Sequence, residues 1–220
     1  MGVTAMFVRE TRVQTPPDKV QEAIQNYEKN IFPRVRKTPG NLGAGLLINR
    51  QTGVGIGVSY WESAKAMSAS EEMGNQARAQ SAKDVPESQV INVERAELMI
   101  MDRAEPPKVG SMVRAVTVNA DPQKLDAAIQ QIRNHVLPIL KAQKGYRATI
   151  VGVDRQTGRL AAATVWDSRA DLDASESKIA GPRAEAAKIA GAGPPDVTVE
   201  IFETAVVELV GATAQVTTKA

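Results

Sequence analysis

Residues 49–63 read NRQTGVGIGVSYWES, and residues 154–168 read DRQTGRLAAATVWDS. In each, an Asn or Asp opens a short turn and a glycine, Gly53 or Gly158, closes it. An apolar run follows, and Trp, an acidic residue and Ser end it. An Asn or Asp at a turn's start can bond the backbone ahead, and glycine supplies the positive φ needed at the close. Each stretch therefore predicts a hairpin turn, a strand ending at Trp61 or Trp166, and a helix capped by Ser63 or Ser168.

Carried outward from these stretches, a shift of 105 residues gives 16 identities among the 56 positions from Val8 to Ser63, with no gap. Unrelated chains of ordinary composition would give roughly one in seventeen. The matches include Arg9/Arg114, Pro17/Pro122, Ile24/Ile129, Pro33/Pro138 and Gly40/Gly145. The last strand aligns at 106, placing Glu94 on Glu200 and Glu97 on Glu203. The chain is a tandem duplication of a domain-sized unit. The expected organisation is repeat 1 over 1–101, a linker over 102–110 with paired prolines and a closing glycine, repeat 2 over 111–210, and a flexible tail over 211–220.

One repeat reads as β-α-β-β-α-β. Met6–Gln14 and Met112–Asn119 are β-branched runs bounded by proline turns. Val20, Ile24, Tyr27, Ile31 and Val35, with Leu125, Ile129, Ile132, Val136 and Leu140 in the second copy, form an apolar helical stripe. Pro33 and Pro138 fall late in it and should bend its last turn. The hairpin follows, then a second helix over 63–83 and 168–190, where Gly181-Pro182 predicts a kink or two short helices. Strands over 90–101 and 197–209 finish the ferredoxin-like order.

Composition limits the chemistry. With 43% hydrophobic and 24% charged residues the 220-residue chain is ordinary globular protein, and its aromatics are few, at 4%. It has no cysteine, so disulfides, thiolate metal sites and cysteine nucleophiles are excluded. The net charge of +2 is spread among mixed signs, so no nucleic-acid partner is expected. The amino-terminal residues lack a signal-peptide pattern and no run is long enough to span a membrane, so the expected location is cytoplasmic. His135 is the lone histidine, at the edge of the helix stripe, and cannot build a multi-histidine metal site. The glycines of Gly53-Val-Gly-Ile-Gly57 run along a strand rather than into a helix, which excludes a phosphate loop.

The turn, strand, Trp-acid-Ser and helix arrangement resembles the antibiotic-biosynthesis-monooxygenase-like branch of the dimeric α/β-barrel superfamily, over nearly all of each repeat. The fold class implied is α+β, two tandem ferredoxin-like domains forming an intramolecular dimeric α/β barrel. The chain would then be a pseudo-dimer, with further oligomerisation open. The family's haem-degrading enzymes use an Asn, a Trp and a His on the helix after the Trp. Neither second helix here has a histidine, and Arg9 and Arg114 occupy the first strands. The cofactor-free oxygenases surround an aromatic substrate with Asn, Trp and Tyr, of which only Trp is matched.

Six residues are candidates for a ligand site. Trp61 and Trp166 either line a cavity between sheet and helices, as this position often does in the resembling family, or plug the core. Arg9 and Arg114 either face an anionic or carbonyl-bearing ligand or pair with a last-strand glutamate, Glu94 or Glu97 in one copy and Glu200 or Glu203 in the other. Met67 and Met73 either line an adaptable apolar pocket or fill core gaps. No catalytic set, metal or cofactor is implied. Three readings stand: a protein binding an apolar or aromatic small molecule, a cofactor-independent monooxygenase of an aromatic or quinone-like substrate, and a structural or partner-binding protein with a filled interior. In the resembling family the second helix usually roofs the pocket, so the divergence of the two second helices here implies two unequal cavities.

Overall fold

A computed structural model describes residues 5–209 and the backbone of Val216–Thr217. In the first repeat β1 (Met6–Gln14) leads into α1 (Val20–Asn26) and α2 (Phe32–Arg36), then β2 (Asn41–Ile48), β3 (Val54–Trp61), α3 (Ala64–Ala69), α4 (Glu71–Asp84) and β4 (Gln89–Arg103). The second repeat gives β5 (Met112–Asn119), α5 (Leu125–Gln131), α6 (Leu137–Lys141), β6 (Tyr146–Asp154), β7 (Arg159–Trp166), α7 (Arg169–Ile189) and β8 (Val197–Leu209). Both follow the ferredoxin-like order. A two-residue β9 (Val216–Thr217) pairs with Met101 and Ile100. The rest of the expected tail lies outside the described residues.

The hairpin turns form as the sequence requires. Asn49 Oδ1 accepts from the backbone N–H groups of Gln51 and Thr52 at 3.0 and 3.1 Å, and Asp154 Oδ1 does the same for Gln156 and Thr157 at 2.9 and 3.4 Å. Gly53 and Gly158 close them at φ +74° and +78°. Ser63 and Ser168 cap the next helices, each Oγ accepting a backbone N–H at 3.1 Å.

Each expected long first helix is interrupted by one π-helical turn, Tyr27–Ile31 and Ile132–Val136. Pro33 and Pro138 follow directly. Each lacks an N–H, and its ring crowds the carbonyl four residues back, so the preceding turn widens. His135 sits exposed on the second π-turn. The second helices reverse the expectation. In the second repeat α7 is continuous through Gly181-Pro182, because Ile179, Ala186 and Ala187 are buried on either side of the proline and packing outweighs one lost backbone bond. The break falls in the first repeat instead, at Ser70 between α3 and α4.

The chain divides into two compact units, and these are not the sequence repeats. One holds residues 5–96 with 203–209, and the other holds 97–202. The reason is strand length. β4 has 15 residues and β8 has 13, whereas β1, β2, β3, β5, β6 and β7 have eight or nine. At roughly 3.3 Å per residue, the long strands outrun any single neighbour. In the first unit the antiparallel order is β4-β1-β3-β2-β8, with Ile48 opposite Glu203 and Gly43 opposite Leu209. In the second it is β8-β5-β7-β6-β4, with Glu97 opposite Val153 and Arg103 opposite Ala148. Most of the expected linker is ordered within the second unit. Asp102 accepts from Lys141 Nζ at 2.8 Å and Tyr146 Oη at 3.1 Å, and the Pro106 carbonyl accepts from Arg147 Nε at 2.9 Å.

Each unit packs its helices on one sheet face. In the first, Val20 and Ile24 of α1 meet Leu46, Ile48 and Val206. In the second, Leu125, Ile129, Leu140, Leu172 and Ile179 join Val151, Val153, Leu160 and Trp166. Among the described residues no helix is long and apolar enough to cross a membrane.

Candidate functional site

The same polar cluster is built twice, once in each unit, between the first two strands of the hairpin sheet and the second helix. Arg9 lies opposite Ser59 across β1 and β3, and Arg114 lies opposite Thr164 across β5 and β7. Two residues further along, Trp61 and Trp166 are fully buried, and their indole N–H groups donate to Ser59 Oγ and Thr164 Oγ1, each at 3.0 Å. The Arg9 guanidinium lies 5.5 Å from the centroid of the Trp61 ring, within cation–π range.

Both arginines are about 96% buried, with 4% and 3% of their surface exposed. A buried guanidinium needs partners. Arg9 Nη2 donates to the Met67 carbonyl at 2.5 Å and meets Glu71 Oε2 at 3.1 Å. Arg114 Nη2 donates to the Leu172 carbonyl at 2.8 Å and meets Glu176 Oε2 at 3.0 Å, while its Nη1 donates to Ser175 Oγ at 3.0 Å. The acid partner expected on the last strand is thus on the second helix. Glu203 pairs with Arg50 and Glu97 with Arg155. A further arginine, Arg78 or Arg183, binds the same helix glutamate, and Arg95 adds a third to Glu71.

These helix partners keep the 105-residue shift: Ser70/Ser175, Glu71/Glu176 and Arg78/Arg183. That periodicity carried beyond Ser63 would have identified them; divergence of the residues between hides it.

Burial pushes the Arg9 and Arg114 pKa values down, opposed by Glu71 and Glu176 respectively. Burial alone would raise the Glu71 carboxyl, but the hydrogen bond from Arg95 and the charges of Arg9 and Arg95 outweigh it, and the net shift is downward. Arg183 lowers Glu176 in the same direction. A carboxyl depressed in the folded state stabilises the fold above its unfolded pKa, and that contribution disappears as pH falls through the lower folded value. Acid should therefore weaken the fold through this pair. Urea titrations at pH 7 and pH 3 should show a smaller pH-dependent loss of stability in Glu71→Gln/Glu176→Gln than in the unaltered chain.

The two units differ in the space beside this cluster. In the first, a cavity of about 120 Å³ lies between the sheet and the helices; Arg9, Tyr27, Trp61, Met73 and Arg78 are on its wall. In the second, the corresponding cavity is about 70 Å³, with Arg114 and Arg183 on its wall. The difference follows from three positions. Gly55, Gly57 and Gly74 line the larger cavity, and Leu160, Ala162 and Ile179 stand at the same places in the smaller one. A methyl group at Gly55 would meet Val13 at 3.0 Å, and one at Gly74 would meet Arg78 at 3.2 Å and Arg9 at 3.3 Å. In the sequence Gly55 and Gly57 stood out only as false phosphate-loop residues, and Gly74 did not stand out. Comparing them with their counterparts is the signal that exposes the cavity.

Four of the six expected site residues, Arg9, Trp61, Met73 and Arg114, line a cavity. Met67 is buried and takes part through its backbone carbonyl. Trp166 is a core residue packed edge-on against Tyr146, with ring centroids 6.0 Å apart. Tyr27 was read only as part of the helix stripe. Its hydroxyl donates to the Gly45 carbonyl at 2.8 Å, and burial raises its pKa. Among the described residues the larger cavity's wall carries no Asp, Glu, His or Lys.

No protein-family model matches the chain. The uncharacterized protein Rv2558 of Mycobacterium tuberculosis (strain ATCC 25618 / H37Rv) is 27% identical over 205 residues, covering 93% of this chain and 85% of that protein. Among solved structures, a candidate monooxygenase of Fusobacterium nucleatum superposes with a TM-score of 0.70 at 16% identity, covering 98% of this chain and 99% of its own. An anthrone oxidase-like protein gives 0.67 at 12% identity, with 94% of each chain covered. A ferredoxin-fold protein of Listeria monocytogenes related to antibiotic biosynthesis monooxygenases gives 0.53 at 12% identity, covering 92% of this chain and 96% of its own. The repeated β-α-β-β-α-β order and these likenesses give the chain the fold of these solved structures, a ferredoxin-like unit in tandem.

Proposed function

We propose that the protein binds a small, largely apolar molecule in the cavity of the first unit, and that the second unit is the structural copy. The observation that carries this reading is the replacement of three side chains by Gly55, Gly57 and Gly74, leaving about 120 Å³ beside a buried arginine and a tryptophan. Cores are ordinarily packed to crystal density, and an open apolar space forfeits contacts. A ligand would restore them. A filled interior, which the structural reading requires, is at odds with this space.

The oxygenase reading draws on the fold shared with the anthrone oxidase-like protein. It is less well supported, because the ionisable groups on the cavity wall are two arginines and a tyrosine whose pKa burial raises, so none is suited to act as a base near neutral pH. Oxygen uptake with anthrones or quinols tests it.

The binding reading is tested by ligand-observed NMR with neutral single-ring aromatics such as toluene. Binding is expected in the unaltered chain and should weaken at least about tenfold in Gly74→Ile, which installs the second unit's side chain. Binding undiminished by that substitution would move the site elsewhere.

A further inference from the structure

We infer that the arginine end of the first-unit cavity recognises the carboxylate of a single-ring aromatic acid. This rests on the proposed binding role of that cavity and specifies its ligand.

The two copies of the arginine cluster differ in how completely they are satisfied. In the second unit Arg114 commits Nη1 to Ser175 and Nη2 to Leu172 and Glu176. In the first unit Arg9 commits only Nη2, to Met67 and Glu71. Its Nε is buried without a hydrogen-bond partner. Its Nη1 also has no partner among the described residues and does not reach Ser70, the counterpart of Ser175, although both hydroxyls donate to the carbonyl three residues back, Ser70 to Met67 at 2.7 Å and Ser175 to Leu172 at 2.6 Å. The place beside Nη1 that Ile179 fills in the second unit is left vacant by Gly74, whose added methyl would stand 3.3 Å from that nitrogen. A donor on a buried charge therefore faces the space that the glycines open. An unpaired buried donor is costly, and a charged one more so.

Charge points to an anion rather than a neutral carbonyl. Glu71 is shared by Arg9, Arg78 and Arg95, so three guanidinium groups meet one carboxylate and two positive charges remain. Arg9 and Arg78 both line the cavity. A carboxylate presents two acceptor oxygens to such donors and would neutralise part of the surplus. Size limits the remainder. A dry cavity of about 150 Å³ accommodates benzene, so about 120 Å³ suits one ring, not a fused system. The wall beyond the arginines is uncharged and mostly apolar, and includes Val13, Leu46, Ile48 and Val58.

The test is calorimetry or ligand-observed NMR on the full chain at pH 7 with benzoate, benzamide and toluene. Benzoate should bind at least about tenfold tighter than either neutral ring, as a hydrogen bond to a charged group allows. Arg9→Met should abolish that preference while toluene still binds. Arg78→Gln, where fewer contacts are lost, should reduce it. If toluene binds and Gly74→Ile removes it, yet benzoate is no tighter, the acid inference fails and the cavity reading survives. If none of the three rings binds, both fail. The comparison of ligands on the unaltered chain decides the matter even where Arg9→Met does not fold.

Discussion

Replacing Trp166 by alanine is expected to lower the stability of the chain by about 3–5 kcal/mol, the usual cost of truncating a buried tryptophan. The side chain is fully buried, it packs on Tyr146, and its indole N–H satisfies Thr164. Truncation leaves a void among Val151, Leu160 and Leu172, and removes the partner of a buried hydroxyl. Chemical denaturation reads the loss directly. The counterpart Trp61→Ala should be less costly, because its ring already borders open space and fewer atoms lose contacts. A Trp166 variant as stable as the unaltered chain would contradict the packing described for the second unit.

Gly53→Val is expected to cost about 3 kcal/mol or more, and Gly158→Val a similar amount. Positive φ alone costs an L-residue roughly 1–2 kcal/mol. Beyond that, a methyl at Gly53 would stand 1.8 Å from the Thr15 carbonyl oxygen, and one at Gly158 would stand 2.1 Å from that of Ala120. Both carbonyls belong to backbone that follows a first strand, so the hairpin turn cannot shift without moving the start of the first helical segment. The Thr15 N–H also donates to the Gly53 carbonyl at 3.0 Å, and the Ala120 N–H to that of Gly158 at 2.9 Å. Differential denaturation of the two variants measures this; a loss below about 1 kcal/mol in both would mean that the turns relax freely.

The fold was legible in the sequence where local chemistry and periodicity agree. The hairpin turns, the caps at Ser63 and Ser168, and the strands Met6–Gln14 and Met112–Asn119 are all determined by neighbouring residues, and they occur as read. What was not legible depends on distant partners. Nothing in residues 89–103 says that one strand will divide between two neighbours. That follows from its length measured against β1 and β6, and shifts the compact units away from the repeats. The proline at 182 carries a local breaking signal that tertiary packing overrides, and the π-turns at Tyr27 and Ile132 mark where Pro33 and Pro138 act, one turn earlier than their position suggests.

The candidate site was half legible. Duplicated, mid-strand Arg9 and Arg114 stood out as residues needing partners, while Trp61 and Trp166 were left alike between cavity wall and core plug. The acid partner was placed on the wrong element, because repetition of Glu94 and Glu97 is visible in the last strand whereas that of Glu71 lies within a diverged helix. Gly55, Gly57 and Gly74 carry no functional chemistry of their own. Their meaning is the absence of a side chain, and only the second unit supplies the comparison.

The most direct test of this account is a crystal structure of the chain under xenon pressure, since an apolar cavity takes up xenon where a filled core cannot. Density is expected between Trp61, Tyr27 and Gly74, with higher occupancy than near Ile179, and it should vanish in Gly74→Ile crystals. Equal occupancy in both units, or none in the first, would contradict the claim that glycine substitution has made one copy a binding site.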